Sequence, residues 1–267
     1  MMKKITHENG VVYFTSDKIK TPHAFATRLG GVSKEEHTAS LNLAFGRGDE
    51  EEVVKENLSR FGEAVGFCAE DVVSMPQIHS NKVIYVSADM RGEGYFLPPS
   101  VSCDGYVTCE RGVAVGVKTA DCTPILLADE KAGVIAALHA GWRGTFSDIC
   151  GEGVRKMIEH GADASRIVAV IGPSICQKCY EVGQDVYDSA LECMGKDTSL
   201  FFEKTDVDGK YLADVKCANK YLLVRAGVLP DNIEVSDLCT YEHPELFWSH
   251  RYTHGNRGTM LSIISKK

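Results

Sequence analysis

Residues 112–145, GVAVGVKTADCTPILLADEKAGVIAALHAGWRGT, restrict the fold more than any other stretch of this chain. They carry three short apolar runs, 114–117, 124–128 and 134–138, each rich in Leu or β-branched residues and bounded by turn residues. Runs of that length, bounded in that way, read as fully buried strands, although a buried helical segment shares the signature. The second and third runs are joined by Asp129-Glu130-Lys131-Ala132-Gly133, a polar link closing on glycine, which predicts a hairpin. A doubly wound parallel sheet needs a helical crossover after most strands, and residues 105–139 leave no room for one. Strand-like segments lie toward both ends of the chain. The expectation is therefore an α+β fold, one domain over residues 1–267 with a large mixed β-sheet flanked by helices.

The hairpin matters for where it places two side chains. Its turn centres on Lys131, so pairing folds residues near 122 onto residues near 140 and sets Cys122 beside His139 at the open end. Opposed Cβ atoms there are roughly 5 Å apart. A thiolate and an imidazole at that separation can share a metal ion or act as nucleophile and base. A buried Cys beside a satisfied His is the plainer reading, and three features weigh against it. Asp121 precedes the cysteine, Pro124 stiffens its exit, and His139 runs into Gly141-Trp142-Arg143-Gly144. Small residues and an Arg at a strand end let a ligand approach the backbone. Asp121 is the candidate general acid/base of such a site. A catalytic zinc usually takes three protein ligands and keeps a fourth position open. With nine histidines available, spacing leaves the third ligand open among His23, His79, His250 and others.

Elsewhere the chain alternates strands and helices without a repeat or a linker. Residues 11–14 and 23–27 read as opening strands, the second leading into a Gly30-Gly31 turn beside Arg28. Residues 50–65 read as a helix, with acidic residues in the first turn and Val53, Val54, Leu58, Phe61 and Val65 on one face. Thr145 opens another, with Asp148 completing an acidic variant of the capping box, an apolar face of Ile149, Val154, Met157 and Ile158, and Gly161 as its end. Further helices are expected at about 183–194 and 214–227, and the last strands at 233–235 and 260–264.

The formal net charge of −8 argues against nucleic acid as a partner, because a phosphate backbone needs a basic face. No apolar run approaches the ~20 residues that span a bilayer, so no membrane association is expected. Lys3 and Lys4 are followed by no apolar segment of the signal-peptide kind. The expectation is a cytoplasmic protein whose ten cysteines are reduced. Cys176-Gln177-Lys178-Cys179 is the one CxxC; a zinc ribbon needs a second such pair, and the preceding Gly172-Pro173-Ser174 reads as loop rather than as a redox motif. A structural or incidental role is expected for it.

Seven motifs in order, TRLGGVS (27–33), SLNL (40–43), QIH (77–79), TADCTP (119–124), HAGWRGT (139–145), GP (172–173) with YEVG (180–183), and FWSHR (247–251), resemble the YfiH/LACC family. These are laccase-domain proteins, called polyphenol oxidases and later purine nucleoside phosphorylases. The resemblance covers nearly the whole chain. It implies a zinc ion on His79, Cys122 and His139, with copper the less expected metal. It also implies phosphorolysis of adenosine, inosine, guanosine and methylthioadenosine, together with deamination of adenosine. Cys122, His139 and Asp121 are then the catalytic residues, and Arg28, Asn42 and Arg143 the substrate-binding ones. The implied small-molecule partners are a purine nucleoside and phosphate. Cys103, and residues 251–258, depart from the family's commoner pattern.

The chemistry of these residues is compatible with that implication. A Cys-His-His set is borderline soft and tetrahedral, suiting zinc above magnesium or calcium. Zinc lowers the pKa of water toward ~7, which suits attack at adenine C6. For phosphorolysis, Arg28, Arg143 and the amides around Gly30-Gly31 are the candidate phosphate donors. The His-x-Glu and Pro-Cys-x-x-Cys signature of cytidine-type deaminases is absent. A multicopper laccase needs paired histidines around a trinuclear cluster, and the chain has no His-x-His. The rival reading is a Cys-His hydrolase, with Cys122 as nucleophile and His139 as base, acting on an amide such as a cell-wall precursor. A zinc-stabilised binding module is third, but a closed structural site needs a fourth ligand and none stands out.

Overall fold

The computed structural model describes residues 2–266, which form fifteen strands and five α-helices. The strands of the first half are β1 (Lys3–Thr6), β2 (Val12–Thr15), β3 (His23–Ala26), β4 (Val72–Val73), β5 (Val83–Tyr85), β6 (Gly105–Thr108) and β7 (Val113–Thr119). They continue with β8 (Thr123–Asp129), β9 (Val134–Ala140), β10 (Val168–Ile171), β11 (Glu181–Gly183), β12 (Phe202–Lys204), β13 (Lys210–Ala213), β14 (Ile233–Val235) and β15 (Met260–Lys266). The helices are α1 (Glu51–Val65), α2 (Trp142–Phe146), α3 (Ile149–Glu159), α4 (Gln184–Met194) and α5 (Val215–Arg225).

The α+β class with mixed sheets and flanking helices holds, and the strands divide between two large sheets rather than filling one. The first has the order β1-β2-β3-β15-β7-β4, the second β14-β10-β8-β9-β6-β5, and a small third sheet is β11-β13-β12. Pairing is antiparallel except for β4 with β7, β10 with β14, and β5 with β6.

The hairpin forms as its sequence requires. β8 and β9 pair antiparallel from Thr123↔Ala140 to Asp129↔Val134. Side chains alternate across their plane, as they must in a strand. Ile125, Leu127, Val134, Ala136 and Leu138 join an apolar cluster with Ile149, Val154 and Met157 of α3 and Leu222 and Leu223 of α5. Leu126, Ala128, Ile135 and Ala137 join the other cluster, with Val115 and Val117 of β7 and Ile263 of β15. The second sheet is thus covered by helices on one face and by the first sheet on the other. Burial on both faces is why its central strands read as unbroken apolar runs rather than as alternation.

Helix α1 keeps its predicted span and buries Val54, Leu58 and Phe61, ending at Gly66 with φ 93°. The helix expected from Thr145 is corrected. The chain forms the short α2 first, and Asp148, at φ 62°, breaks it there and caps α3 by accepting from Gly151 N. Asp148 is therefore the cap itself and not the third residue after one. Ile158 is exposed, so the apolar face of α3 is narrower than predicted. Among the described residues no helix is long and apolar enough to cross a membrane.

Candidate metal centre

The hairpin register, with Pro124 opposite His139, places Cys122 just beyond the paired end and level with Gly141. Asp121 sits in the left-handed region at φ 85°, so the chain turns sharply before the cysteine. His79 comes from the loop between β4 and β5 and is itself at φ 58°. The ligand atoms of His79, Cys122 and His139 all lie within 4.8 Å of one another. The two imidazole rings are 4.9 Å apart, edge to face.

A residue that sequence reasoning passed over holds this group together. Asp104 is fully buried at the entry to β6. Its Oδ1 accepts from His139 Nδ1 at 2.8 Å and from His79 N at 2.9 Å. Its Oδ2 accepts from Ile78 N at 3.2 Å, Ser80 N at 2.7 Å and Ser80 Oγ at 2.8 Å. One carboxylate thus holds the His139 ring by Nδ1, turning Nε2 toward Cys122, and clamps the loop that presents His79. Metal-binding histidines regularly donate their other nitrogen to such a carboxylate. No spacing rule links Asp104 to residues so far away in the chain. The only available signal was the general expectation that a ligand histidine has an acidic partner.

Charge follows from the packing. Burial pushes the Cys122 thiol up, but His139 and His79 outweigh it and bring the group down to about 6. Burial likewise opposes a charged His139, yet the Cys122 thiolate and Asp104 hold it up at about 9. Asp104, despite its desolvation, is held at about 2 by His139 and Ser80. Gly141 leaves the group its space, since a Cβ there would stand 3.1 Å from His79 Cδ2 and 3.2 Å from Cys122 Sγ. A compact Cys-His-His set, one histidine oriented by a buried carboxylate, with room kept beside the sulfur, fits a transition-metal ion.

Two cavities meet at this group. One, of about 400 Å³, is lined by His79, Asp121, Cys122, Trp142, Tyr180 and Arg251, and by Arg47, His250 and Arg257. The other, of about 790 Å³, shares His79, Cys122, Arg47 and Arg257 and adds Phe45, Tyr95 and Lys118. Asp121 faces the smaller cavity with both oxygens engaged, accepting from Thr240 Oγ1 at 2.6 Å and Arg251 N at 2.7 Å. Arg143 is exposed and lies over the Trp142 ring at 4.1 Å.

Arg28 and Asn42 are not brought to the cavities. The Arg28 guanidinium covers the Trp248 ring at 3.8 Å and donates to the carbonyls of Ala39 and Pro244. Asn42 is buried, donating to Ala44 O and Asp49 Oδ2 and accepting from Thr259 N. Of the other histidines left open by spacing, His23 bonds Ser16 N and Thr21 O inside the first sheet. His250 lines the smaller cavity without joining the ligand group. Arg47 and Arg257, which do reach the cavities, carried no signal beyond being arginines in loops. Burial and the neighbouring Arg47 hold Arg257 down at about 10, and its Nε is buried with no hydrogen-bond partner among the described residues.

Known proteins agree with this architecture. A protein from Deinococcus radiodurans named purine nucleoside phosphorylase is 38% identical over 255 residues, covering 96% of this chain and 93% of that one. One from an unknown prokaryotic organism named adenosine deaminase RL5 is 34% identical, covering 91% of this chain and 94% of its own length. The crystal structure of the Bacillus licheniformis hypothetical protein YfiH superimposes with a TM-score of 0.92 at 30% identity, over 99% of both chains. Residues 22–267 match the family described as multi-copper polyphenol oxidoreductase laccase. The family match and the structural match both span nearly the whole chain, and the chain belongs to this laccase-like family.

Proposed function

We propose that this chain is a zinc-dependent purine nucleoside enzyme. The proposed reactions are phosphorolysis of adenosine, inosine, guanosine and methylthioadenosine, and deamination of adenosine. The observation that carries this reading is the position of His79, Cys122 and His139 where two cavities meet, one walled by Trp142 and Tyr180 and both lined by Arg47 and Arg257. Planar aromatic walls suit a purine, and guanidinium groups suit phosphate. The names of the relatives point to the same substrates.

His79, Cys122 and His139 are the proposed zinc ligands. Bound there, zinc supplies Lewis acidity and lowers the pKa of water it polarises. Asp104 holds His139 by Nδ1, turning Nε2 toward Cys122. Asp121 remains the proposed proton carrier, its carboxylate oriented by Thr240 and the Arg251 amide. Arg257, with its unpaired Nε, and Arg47 are proposed to take phosphate, with Arg143 at the outer edge of Trp142. Arg28 and Asn42 then serve substrate binding by bracing. Asn42 accepts from Thr259 N, Thr259 Oγ1 accepts from Arg257, and Arg28 packs on Trp248, which leads to His250 and Arg251.

The test is direct. Inosine or adenosine with phosphate should yield free base and ribose 1-phosphate, and adenosine alone should yield inosine. Base release and inosine formation no greater than in Cys122→Ala would overturn the reading. Arg257→Met should raise the KM for phosphate while sparing deamination.

One observation favours a second reading, the Cys-His amide hydrolase. Cys122, His139 and Asp104 stand in the order nucleophile, base and orienting acid. The readings separate by alkylation, because a zinc-bound thiolate is a poor nucleophile. Cys122 should resist iodoacetamide in zinc-loaded protein and react after chelation, with activity lost. Rapid labelling with zinc bound, or turnover indifferent to complete zinc removal, favours the hydrolase.

A further inference from the structure

The CxxC pair does not stand alone in the folded chain. Cys176 opens a single 3₁₀ turn, Gln177–Cys179, after β10. That segment runs beside residues 239–242, since Ser174 forms a parallel bridge with Cys239 and Thr240 N donates to Ser174 O. The bridge continues the parallel pairing of β10 with β14, so the juxtaposition is set by the sheet. The result gathers the sulfurs of Cys176, Cys179 and Cys239 and a carboxylate oxygen of Glu242, all within 4.8 Å of one another. Cys239 is 1% exposed, and every described cysteine is a free thiol.

We propose that Cys176, Cys179, Cys239 and Glu242 bind a second zinc ion, separate from the His79, Cys122 and His139 group. Three thiolates at Zn–S distances of about 2.3 Å and tetrahedral angles put sulfurs about 3.8 Å apart, a separation this cluster, with its ligand atoms within 4.8 Å, reaches with little adjustment. Three soft thiolates select zinc over calcium or magnesium, and the carboxylate supplies the closing fourth donor. Outer hydrogen bonds of the kind that tune thiolate ligands are present, because Cys176 N donates to Cys239 Sγ at 3.3 Å. Lys216 brings a buried cation to the same corner, donating to Ser236 O and Leu238 O just before Cys239. It offsets part of the net negative charge of four anionic ligands around one divalent ion.

The site would fasten two walls of the smaller cavity. Cys179 is followed by Tyr180, and Cys239 by Thr240, which holds Asp121. Farther along the chain, the Arg251 guanidinium lies 5.3 Å over the Tyr180 ring and donates to Glu181 O. A closed four-ligand site has no position for substrate, so its role is to hold these segments in register. This inference stands apart from the purine reading and survives its failure.

Elemental analysis of the full chain, reconstituted with zinc and desalted, should find two equivalents per chain. His79→Ala/His139→Ala should keep one, and Cys176→Ser/Cys239→Ser should keep the other. Cobalt added to His79→Ala/His139→Ala should give intense near-ultraviolet thiolate-to-metal bands, and Glu242→Gln should weaken zinc binding at this site at least ~10-fold. If either double variant fails to fold, wild-type protein decides: Cys176, Cys179 and Cys239 should resist alkylation when zinc-loaded and label together after chelation, by peptide mass mapping. A single equivalent that disappears entirely in His79→Ala/His139→Ala overturns the proposal. So do rapid labelling of all three cysteines in zinc-loaded protein and a disulfide among them in protein purified anaerobically.

Discussion

Replacing Asp104 by Asn tests the part of the site that no motif announced. The carboxylate accepts five hydrogen bonds, two on Oδ1 and three on Oδ2. An amide of the same shape has one acceptor oxygen. If that oxygen faces His139 and His79 N, the new NH₂ confronts the amides of Ile78 and Ser80, and the Ser80 hydroxyl alone can turn away. If it faces the loop instead, the NH₂ confronts His79 N and forces the other tautomer on His139, placing a proton on Nε2. The first orientation strands two part-buried donors and the second strands one, at about 1–3 kcal/mol each, so a loss of roughly 1–6 kcal/mol of stability is expected. Zinc affinity should fall by about 10–100-fold, since the loop bearing His79 loosens or His139 presents the wrong nitrogen.

Competition with a chromophoric chelator reads the affinity, and urea unfolding of the zinc-free protein reads the stability. The pH dependence of stability adds a sign. Because Asp104 is held at about 2, below an ordinary aspartate, its contribution is fully present above the ordinary aspartate value and is lost as pH falls through about 2. Asp104→Asn should lack that acid limb. Zinc affinity within about twofold of wild type, together with an unchanged unfolding midpoint, would refute the clamp.

Two further outcomes follow from the same geometry. Gly141→Ala meets a permissive backbone, φ −68° and ψ 168°, but its Cβ would crowd His79 and Cys122; unfolding should change little while zinc affinity drops, and an unchanged affinity would show the space to be idle. Zinc binding should also release protons. With Cys122 at about 6 and His139 at about 9 in the metal-free protein, affinity should rise about tenfold per pH unit between those values, as one His139 proton is displaced, more steeply below about 6 and not at all above about 9; a flat profile between them contradicts the charge assignment.

The hairpin and the closeness of Cys122 to His139 were legible because both rest on local rules. Apolar runs bounded by turn residues define strands, and a short link fixes register. The proposed third ligand was not, since His79 arrives from a loop whose path depends on Asp104. Spacing left His23 and His250 equally open, and family resemblance named His79 first. The division of the strands into two sheets was hidden for a similar reason: pairings such as β15 with β3 join segments far apart in sequence, and no local pattern reports a partner. Arg28 looked like a ligand donor and became a stacked scaffold residue, because its surroundings come from Trp248 and Pro244. The same limit hid Cys239 from the CxxC pair. Strand content survives such blindness; long-range partnership does not.

Strand β15 lies between β3 and β7, pairing with His23–Phe25 on one side and along the whole of β7 on the other. During synthesis, residues 260–266 follow both neighbours by more than half the chain, so the first sheet waits with a gap at its centre and two bare apolar edges facing it. The second sheet lacks no strand by then and can assemble earlier. A ribosome paused before residue 260 therefore carries a half-built sandwich whose exposed edges invite pairing with other nascent chains.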